Sequence, residues 1–162
     1  MNSALPRLAG TLVATLLAVA MAHAQERNYG DWRYDCPQGQ NCRIYQSLAE
    51  RGAERAFVTM EVVRRNQGGA YASITLPLGI YLPTGIAVRV DQGLTRELPV
   101  TVCLPGGCKV LLPLDDELLD AMERGERLRL RFYQASDDPL EVTLSLRGFT
   151  AGHAALGPEP RG

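Results

Sequence analysis

The sequence has few of the residues on which most catalytic sites depend. It contains two histidines among 162 residues. A hydrolase with a serine or cysteine nucleophile needs a base held against that nucleophile, and histidine is the usual one. His23 lies in an N-terminal segment that we expect to be removed, and His153 lies close to the C-terminus. We therefore predict neither this class of catalytic residues nor a metal site.

Excess charge of one sign is also absent. The formal net charge is -1, from 17 basic and 18 acidic residues. Such a balance produces no uniform positive field, so nucleic acid is not expected as a partner. The sequence has no G-x-G-x-x-G motif and no phosphate-binding loop. No cofactor is predicted.

Long hydrophobic runs are missing beyond the first 24 residues. Arg7 precedes an apolar stretch at residues 8–21, and an Ala-His-Ala triplet follows at 22–24. This order is typical of a cleaved secretory signal peptide, and the stretch is short for a membrane-spanning helix, which needs about 20 apolar residues. We predict a signal peptide over 1–24, one domain over 25–156 and a flexible tail over 157–162. No transmembrane segment is expected after cleavage, and the protein would be periplasmic, associated with the outer envelope or secreted.

Four cysteines fall into two local pairs, and an even number in an exported protein is typical of disulfides. Spacing favours Cys36–Cys42 and Cys103–Cys108, each closing a turn rich in glycine, proline or asparagine. A four-cysteine zinc site is an alternative, although its ligands are usually two to four residues apart. A redox role is another, although neither pair is a C-x-x-C motif.

Alternating apolar residues predict an all-β domain, with the clearest pattern at 86–90, 127–132 and 141–146. We count eight or nine short antiparallel strands, which a β-sandwich or a barrel would bury. Three acids at 115–117 followed by Leu118, Leu119 and Met122 predict one short helix near 115–124. Gly148 and Phe149 are interpreted as the end of the last strand.

Carboxylates are the only plentiful catalytic side chains. A glycosidase needs two of them at a suitable separation. However, the acids at 115–117 are explained by helix capping, and Asp137, Asp138 and Asp91 are explained by turns. No catalytic residue is predicted.

Arg127, Arg129 and Arg131 alternate with apolar residues on one predicted strand. Alternation places their guanidinium groups on one face, about 6–7 Å apart. The row is a candidate site for phosphate, sulfate or carboxylate groups. The competing interpretation is a solvated strand face on which the arginines pair with acids such as Glu97 or Glu141.

A set of positions spread over the domain forms a recognisable order: Trp32 with Cys36, Cys42, Leu76-Pro77-Leu78-Gly79, Leu82-Pro83 with Gly85, Asp91, Cys103 with Gly107-Cys108, and Ser145-Leu146 with Gly148-Phe149-Thr150. In this order, from Trp32 to about Leu156, the chain resembles the invasion-associated locus B family of small exported proteins from Gram-negative bacteria. The resemblance implies an envelope-associated β protein with structural disulfides. It supplies no catalytic residues.

We therefore predict a non-enzymatic exported protein that acts by binding an envelope protein, an envelope polymer or a host surface component. One alternative is a carboxylate-dependent enzyme acting on envelope glycans. Another is a periplasmic chaperone or redox helper that uses Cys103 and Cys108. The sequence leaves the ligand and the oligomeric state undetermined.

Overall fold

The computed structural model describes residues 27–37, 41–49, 56–65 and 69–157. The predicted signal peptide lies outside these ranges, and so does the predicted tail except for Gly157. These two predictions about the ends of the chain stay predictions.

The described residues form eleven strands, two α-helices and a short 3-10 turn. The strands are β1 (Arg27–Tyr29), β2 (Trp32–Asp35), β3 (Arg43–Ala49), β4 (Ala56–Arg64), β5 (Ala70–Leu76), β6 (Ile86–Val90), β7 (Thr95–Leu98), β8 (Val102–Leu104), β9 (Gly107–Leu114), β10 (Arg127–Ala135) and β11 (Asp138–Ser145). The helices are α1 (Asp116–Arg124) and α2 (Phe149–Ala155). The prediction of an all-β fold is confirmed.

The strands build two antiparallel sheets. The larger sheet has seven strands in the order β1-β2-β3-β4-β5-β9-β8, and the smaller has four in the order β11-β10-β6-β7. Inward residues alternate with outward ones along the central strands, as at Ile74 in β5 and Leu130 in β10, both fully buried. One apolar core includes the inward residues of both sheets. This alternation is why the sequence pattern identified the central strands.

Hydrogen bonds also join the two sheets at one end of β11. The Trp32 indole nitrogen donates to the Ser145 carbonyl oxygen at 2.9 Å. The Gln46 side chain accepts from the Ser145 amide nitrogen at 2.8 Å and donates to the Asp31 carbonyl at 3.0 Å. Buried polar groups are costly unless they are paired, so these bonds explain how Gln46 lies in the core.

The predicted helix near 115–124 corresponds to α1. The Asp115 carboxylate accepts a hydrogen bond from the Leu118 amide at 2.8 Å, and Asp116 and Glu117 lie in the first turn. Leu118 and Met122 are fully buried. The capping acids and the apolar face therefore have the roles assigned to them from the sequence.

Two sequence-based predictions were wrong in detail. The described residues form eleven strands, not eight or nine, because β1 and other very short strands carry too little alternation to be recognised. Gly148 and Phe149 do not end the last strand, since β11 ends at Ser145 and Phe149 begins α2.

The second helix escaped prediction because its seven residues have no acidic N-terminal cap and no clear helical period. Packing stabilises it instead. Phe149 is fully buried, and its ring centre lies 5.3 Å from that of Trp32. Gly148 precedes it with a φ of 89°, and a Cβ there would lie 2.1 Å from the Tyr29 carbonyl oxygen. Only glycine fits this close approach of two backbones.

Candidate functional site

The three arginines of β10 lie on the outer face of the four-stranded sheet, as their alternation predicts. Arg127 and Arg131 are exposed, and Arg129 is partly buried. The residues between them, including Leu128 and Leu130, are fully buried in the core. The sheet therefore holds the arginines in a row on its outer face.

A fourth arginine joins this row from the neighbouring strand. Antiparallel pairing of β10 with β6 places Arg129 directly opposite Arg89, and Arg131 opposite Ala87. The alternation at 86–90 implies an outward position for Arg89, but it does not reveal that Arg89 belongs to the site. The alternation of a strand shows which face a residue occupies, whereas the identity of the adjacent strand depends on the topology.

These arginines differ in how they are partnered. Arg129 donates from Nη1 to the Asp91 carbonyl oxygen, and its Nε lies 3.7 Å from Oε1 of Glu141. The Arg131 guanidinium lies 5.9 Å from the centre of the Tyr133 ring. The side chains of Arg89 and Arg127 make no hydrogen bond or ion pair with any residue that the structure describes. Each interpretation of the row therefore fits some of its members. Arg129 is paired with an acid, whereas Arg127 and Arg131 are not and could bind an anion.

Two depressions lie on this face. One, of about 200 Å³, is lined by Ala87, Arg89, Thr95, Glu97, Arg129, Arg131 and Glu141. The other, of about 530 Å³, is lined by Gly125, Glu126, Arg127, Thr143, Ser145 and Arg147. Both are open to solvent. Together they place five arginines on one surface with three glutamates among them.

Arg147 at the border of this surface is already engaged. Its Nη2 and Nε atoms donate to the Asp31 carboxylate at 2.6 and 3.1 Å. These bonds, together with one involving Ser145, lower the pKa of Asp31 to about 2. The pair joins the end of β11 to the turn between β1 and β2.

Three of the carboxylates weighed as catalytic candidates have structural contacts. Asp115 caps α1 and also accepts from Arg96 at 3.3 Å, and Glu117 accepts from Arg96 at 2.7 Å. Both Asp91 oxygens accept from backbone amides, those of Glu126 and Arg127. The Asp115 carboxyl has a lowered pKa, chiefly because of the Leu118 amide. A general acid needs a raised pKa, so Asp115 is poorly suited to that role.

The four cysteines form two disulfides, Cys36–Cys42 and Cys103–Cys108. Each bond closes a short local loop. The second also crosses the β8–β9 hairpin, because Cys103 and Cys108 face each other in its register. No cysteine is free.

His153 lies in α2 inside the domain, not in a tail. It is almost fully buried, stacks on Phe149 and has its Nδ1 atom 3.3 Å from the Glu123 carboxylate. Burial lowers the pKa of His153, the Arg64 charge lowers it further, and Glu123 opposes both effects. This histidine links α2 to α1 and lines neither depression of the arginine face.

Within the described ranges, no three or more histidine, cysteine, aspartate and glutamate side chains cluster closely enough to hold a metal ion. In the same part of the chain, no helix is long and apolar enough to cross a membrane.

Comparison with known proteins identifies the family. A model of the invasion associated locus B (IalB) protein family matches residues 32–157. The chain belongs to this family. A crystal structure of invasion associated protein B from Bartonella henselae has the same fold, with a TM-score of 0.75 and 26% identity, and the match covers 82% of this chain and 95% of that one.

Two named relatives agree with this assignment to the invasion associated locus B family. Invasion protein B of Bartonella bacilliformis is 28% identical over 126 residues, which are 76% of this chain and 67% of the relative. An invasion protein B homolog of Brucella abortus is 23% identical over 134 residues, or 80% of this chain and 78% of the relative.

The structure explains several positions that carry the family resemblance as parts of the fold. Trp32 holds the two sheets together, and Gly148 allows two backbones to meet. Asp91 ties the β6–β7 turn to the start of β10. None of the β10 arginines is among those positions.

Proposed function

We propose that this family member is an exported, non-enzymatic binding protein of the cell envelope. Its binding surface is the arginine-bearing outer face of the four-stranded sheet, and its ligand carries negative charge. Export is supported by the predicted signal peptide at residues 1–24. A role outside the cytoplasm is also supported by the two disulfides, which persist in oxidising compartments.

The observation that carries this proposal is the unequal partnering of the β10 row. Arg127 and Arg131 point outward without an ion pair to any described residue, and they flank an Arg129 side chain held in place by Asp91 and Glu141. Guanidinium groups present several donors in a fixed fork that matches carboxylate, sulfate and phosphate oxygens. A rigid row of them on a sheet is suited to a ligand with repeated or extended negative charge.

A binding role agrees better with the surface than catalysis does. Two of the carboxylates near the row are engaged, Glu141 by Arg129 and Asp91 by backbone amides. His153 is the one histidine of the described residues, and it is buried against Phe149 and Glu123. The relatives are named invasion proteins. We infer that the ligand lies in the bacterial envelope or on a host surface.

The test compares two triple variants with the same change in net charge. In the first, Arg127, Arg129 and Arg131 are replaced by glutamine. In the control, Arg33, Arg65 and Arg124, which are exposed elsewhere, are replaced by glutamine. The probe is dextran sulfate, with neutral dextran as its partner.

Loss of three charge-assisted contacts should weaken dextran sulfate binding at least tenfold in the first variant, as measured by calorimetry. The dependence of affinity on salt concentration should become shallower as well, because fewer charges take part. The control should bind almost as the wild type does. Equal losses in both variants would mean that only net charge matters, and the proposal would then fail.

A further inference from the structure

The smaller depression on the arginine face has a lining that points to a particular kind of anion. Two rows of side chains cross the sheet there. One row runs Thr143, Arg129, Arg89, Thr95, and the next runs Glu141, Arg131, Ala87, Glu97. Positive and negative groups therefore lie side by side on one surface, at neighbouring positions of the sheet.

The first row places two like charges against each other. Arg89 and Arg129 are directly opposite in the antiparallel pair, an arrangement that destabilises a sheet. Arg129 has partial compensation from Glu141 and the Asp91 carbonyl, whereas Arg89 has none from the described residues. A carboxylate bound between the two guanidinium groups would relieve this repulsion. A bound anion in the depression would therefore explain why Arg89 and Arg129 lie opposite each other despite their like charges.

The second row limits which anion fits. Glu97 and Glu141 are both exposed, and Glu97 makes no hydrogen bond or ion pair with any described residue. An ionised carboxylate only accepts hydrogen bonds, so these two groups favour a ligand whose donors replace the water around them. They would also repel a doubly charged group such as phosphate. A singly charged ligand that carries hydroxyl groups meets both requirements.

Size is the third restriction. The depression encloses about 200 Å³ above Ala87, whose small side chain separates Arg131 from Glu97 in the row. Pockets for drug-sized ligands measure about 300–1,000 Å³. This volume is therefore suited to one small polar unit.

We propose that the depression lined by Arg89, Arg129 and Arg131 binds a uronic acid, the sugar's carboxylate lying between the arginines and its hydroxyl groups donating to Glu97 and Glu141. The inference rests on the proposed function and gives it a ligand class and an additional residue, Arg89. Arg127 lies outside this depression and lines the larger one.

The experiment is a titration of the isotope-labelled protein followed by NMR signals of the arginine Nε–H groups and the backbone. The probes are D-glucuronate, D-glucose, acetate and glucose 6-phosphate at one ionic strength. Glucuronate should bind more tightly than acetate and glucose, because only glucuronate supplies both the charge and the hydroxyl donors. It should also bind more tightly than glucose 6-phosphate, which the two glutamates repel.

Variants assign the contacts. Arg89→Gln should weaken glucuronate binding about tenfold, since it removes a charge-assisted hydrogen bond. The matched control Arg33→Gln, on the other sheet, should change nothing. Glu97→Gln should reverse the order of the probes and favour glucose 6-phosphate over glucuronate. This reversal is a readout that a purely structural role of Glu97 would not produce.

The outcomes separate this inference from the proposed function. If glucuronate binds no better than acetate, or if Arg89→Gln has no effect, the uronic acid site is refuted. Dextran sulfate binding that still depends on the β10 arginines would in that case leave the proposed function standing. If no anion binds to this face, both proposals fail together.

Discussion

On the outer face of the seven-stranded sheet, Arg43 lies between two carboxylates, with Asp35 at 3.0 Å and Glu61 at 2.8 Å. On the outer face of the four-stranded sheet, Arg89 lies opposite another arginine and has no such partner among the described residues. Both sheets bury similar apolar inner faces, so folding alone does not require this difference. The larger sheet uses Arg43 for internal pairing. On the smaller sheet Arg96 and Arg129 are paired, whereas Arg89 and Arg127 have no hydrogen bond or ion pair from their side chains to a described residue and stay available to a ligand.

The largest effect is expected where the two sheets are joined. Replacing Trp32 by alanine removes a fully buried indole, its contact with Phe149 and its hydrogen bond to Ser145. We expect a loss of about 3–5 kcal/mol in the free energy of unfolding, measured with urea. Both faces should lose their structure in one transition, because they share one core. Separate transitions for the two sheets would contradict this view.

A second prediction removes the charged partners of Arg43 on the larger sheet. The double variant Asp35→Asn, Glu61→Gln leaves the partly buried Arg43 without an ionised partner. We expect a loss of about 2 kcal/mol in unfolding free energy, from two charge-assisted hydrogen bonds. Adding Arg43→Gln should restore part of the lost unfolding free energy, since no unpaired charge then remains. If the triple variant is no more stable than the double variant, the two acids do not act through Arg43.

A third prediction concerns the buried His153 of α2, which lies on neither sheet. Burial, reinforced by the Arg64 charge, lowers the pKa of His153 below its usual 6.5 in the folded protein. The unfolded state therefore binds a proton first as pH falls. The stability that neutral His153 contributes is fully present well above pH 6.5 and decreases as pH falls through 6.5 towards the lowered folded pKa, by at most about 1.4 kcal/mol between pH 7.5 and 5.5.

Urea unfolding at these two pH values measures the change. The variant His153→Gln should lose this step in the pH profile, although its overall stability is lower. An unchanged slope in the variant would assign the effect to another group.

The smallest effect on stability is expected on the smaller sheet, where Arg89 lies opposite another arginine. Arg89→Gln removes one member of the like-charged pair with Arg129. We expect the free energy of unfolding to rise by about 0.5 kcal/mol at low salt, and this gain to shrink in high salt. Arg33→Gln on the larger sheet, opposite Tyr45, should have no comparable gain. A loss of stability on replacing Arg89 would show that its charge has a structural partner.

The sequence determined the features that depend on near neighbours in the chain. Alternation assigned the outward positions of the β10 arginines, and the acids at 115–117 located α1, because strand faces and helix caps are local properties. Close spacing likewise favoured the two disulfide pairings that the structure contains.

Only the tertiary structure decided which strands are neighbours. It placed Arg89 beside Arg129, although the two are far apart in sequence, and it stabilised α2 through the burial of Phe149 against Trp32. Pairing between distant strands and packing in a shared core depend on contacts that no local pattern encodes. The sequence therefore supplied the arginines of the candidate site, and the order of strands in the smaller sheet turned them into one surface.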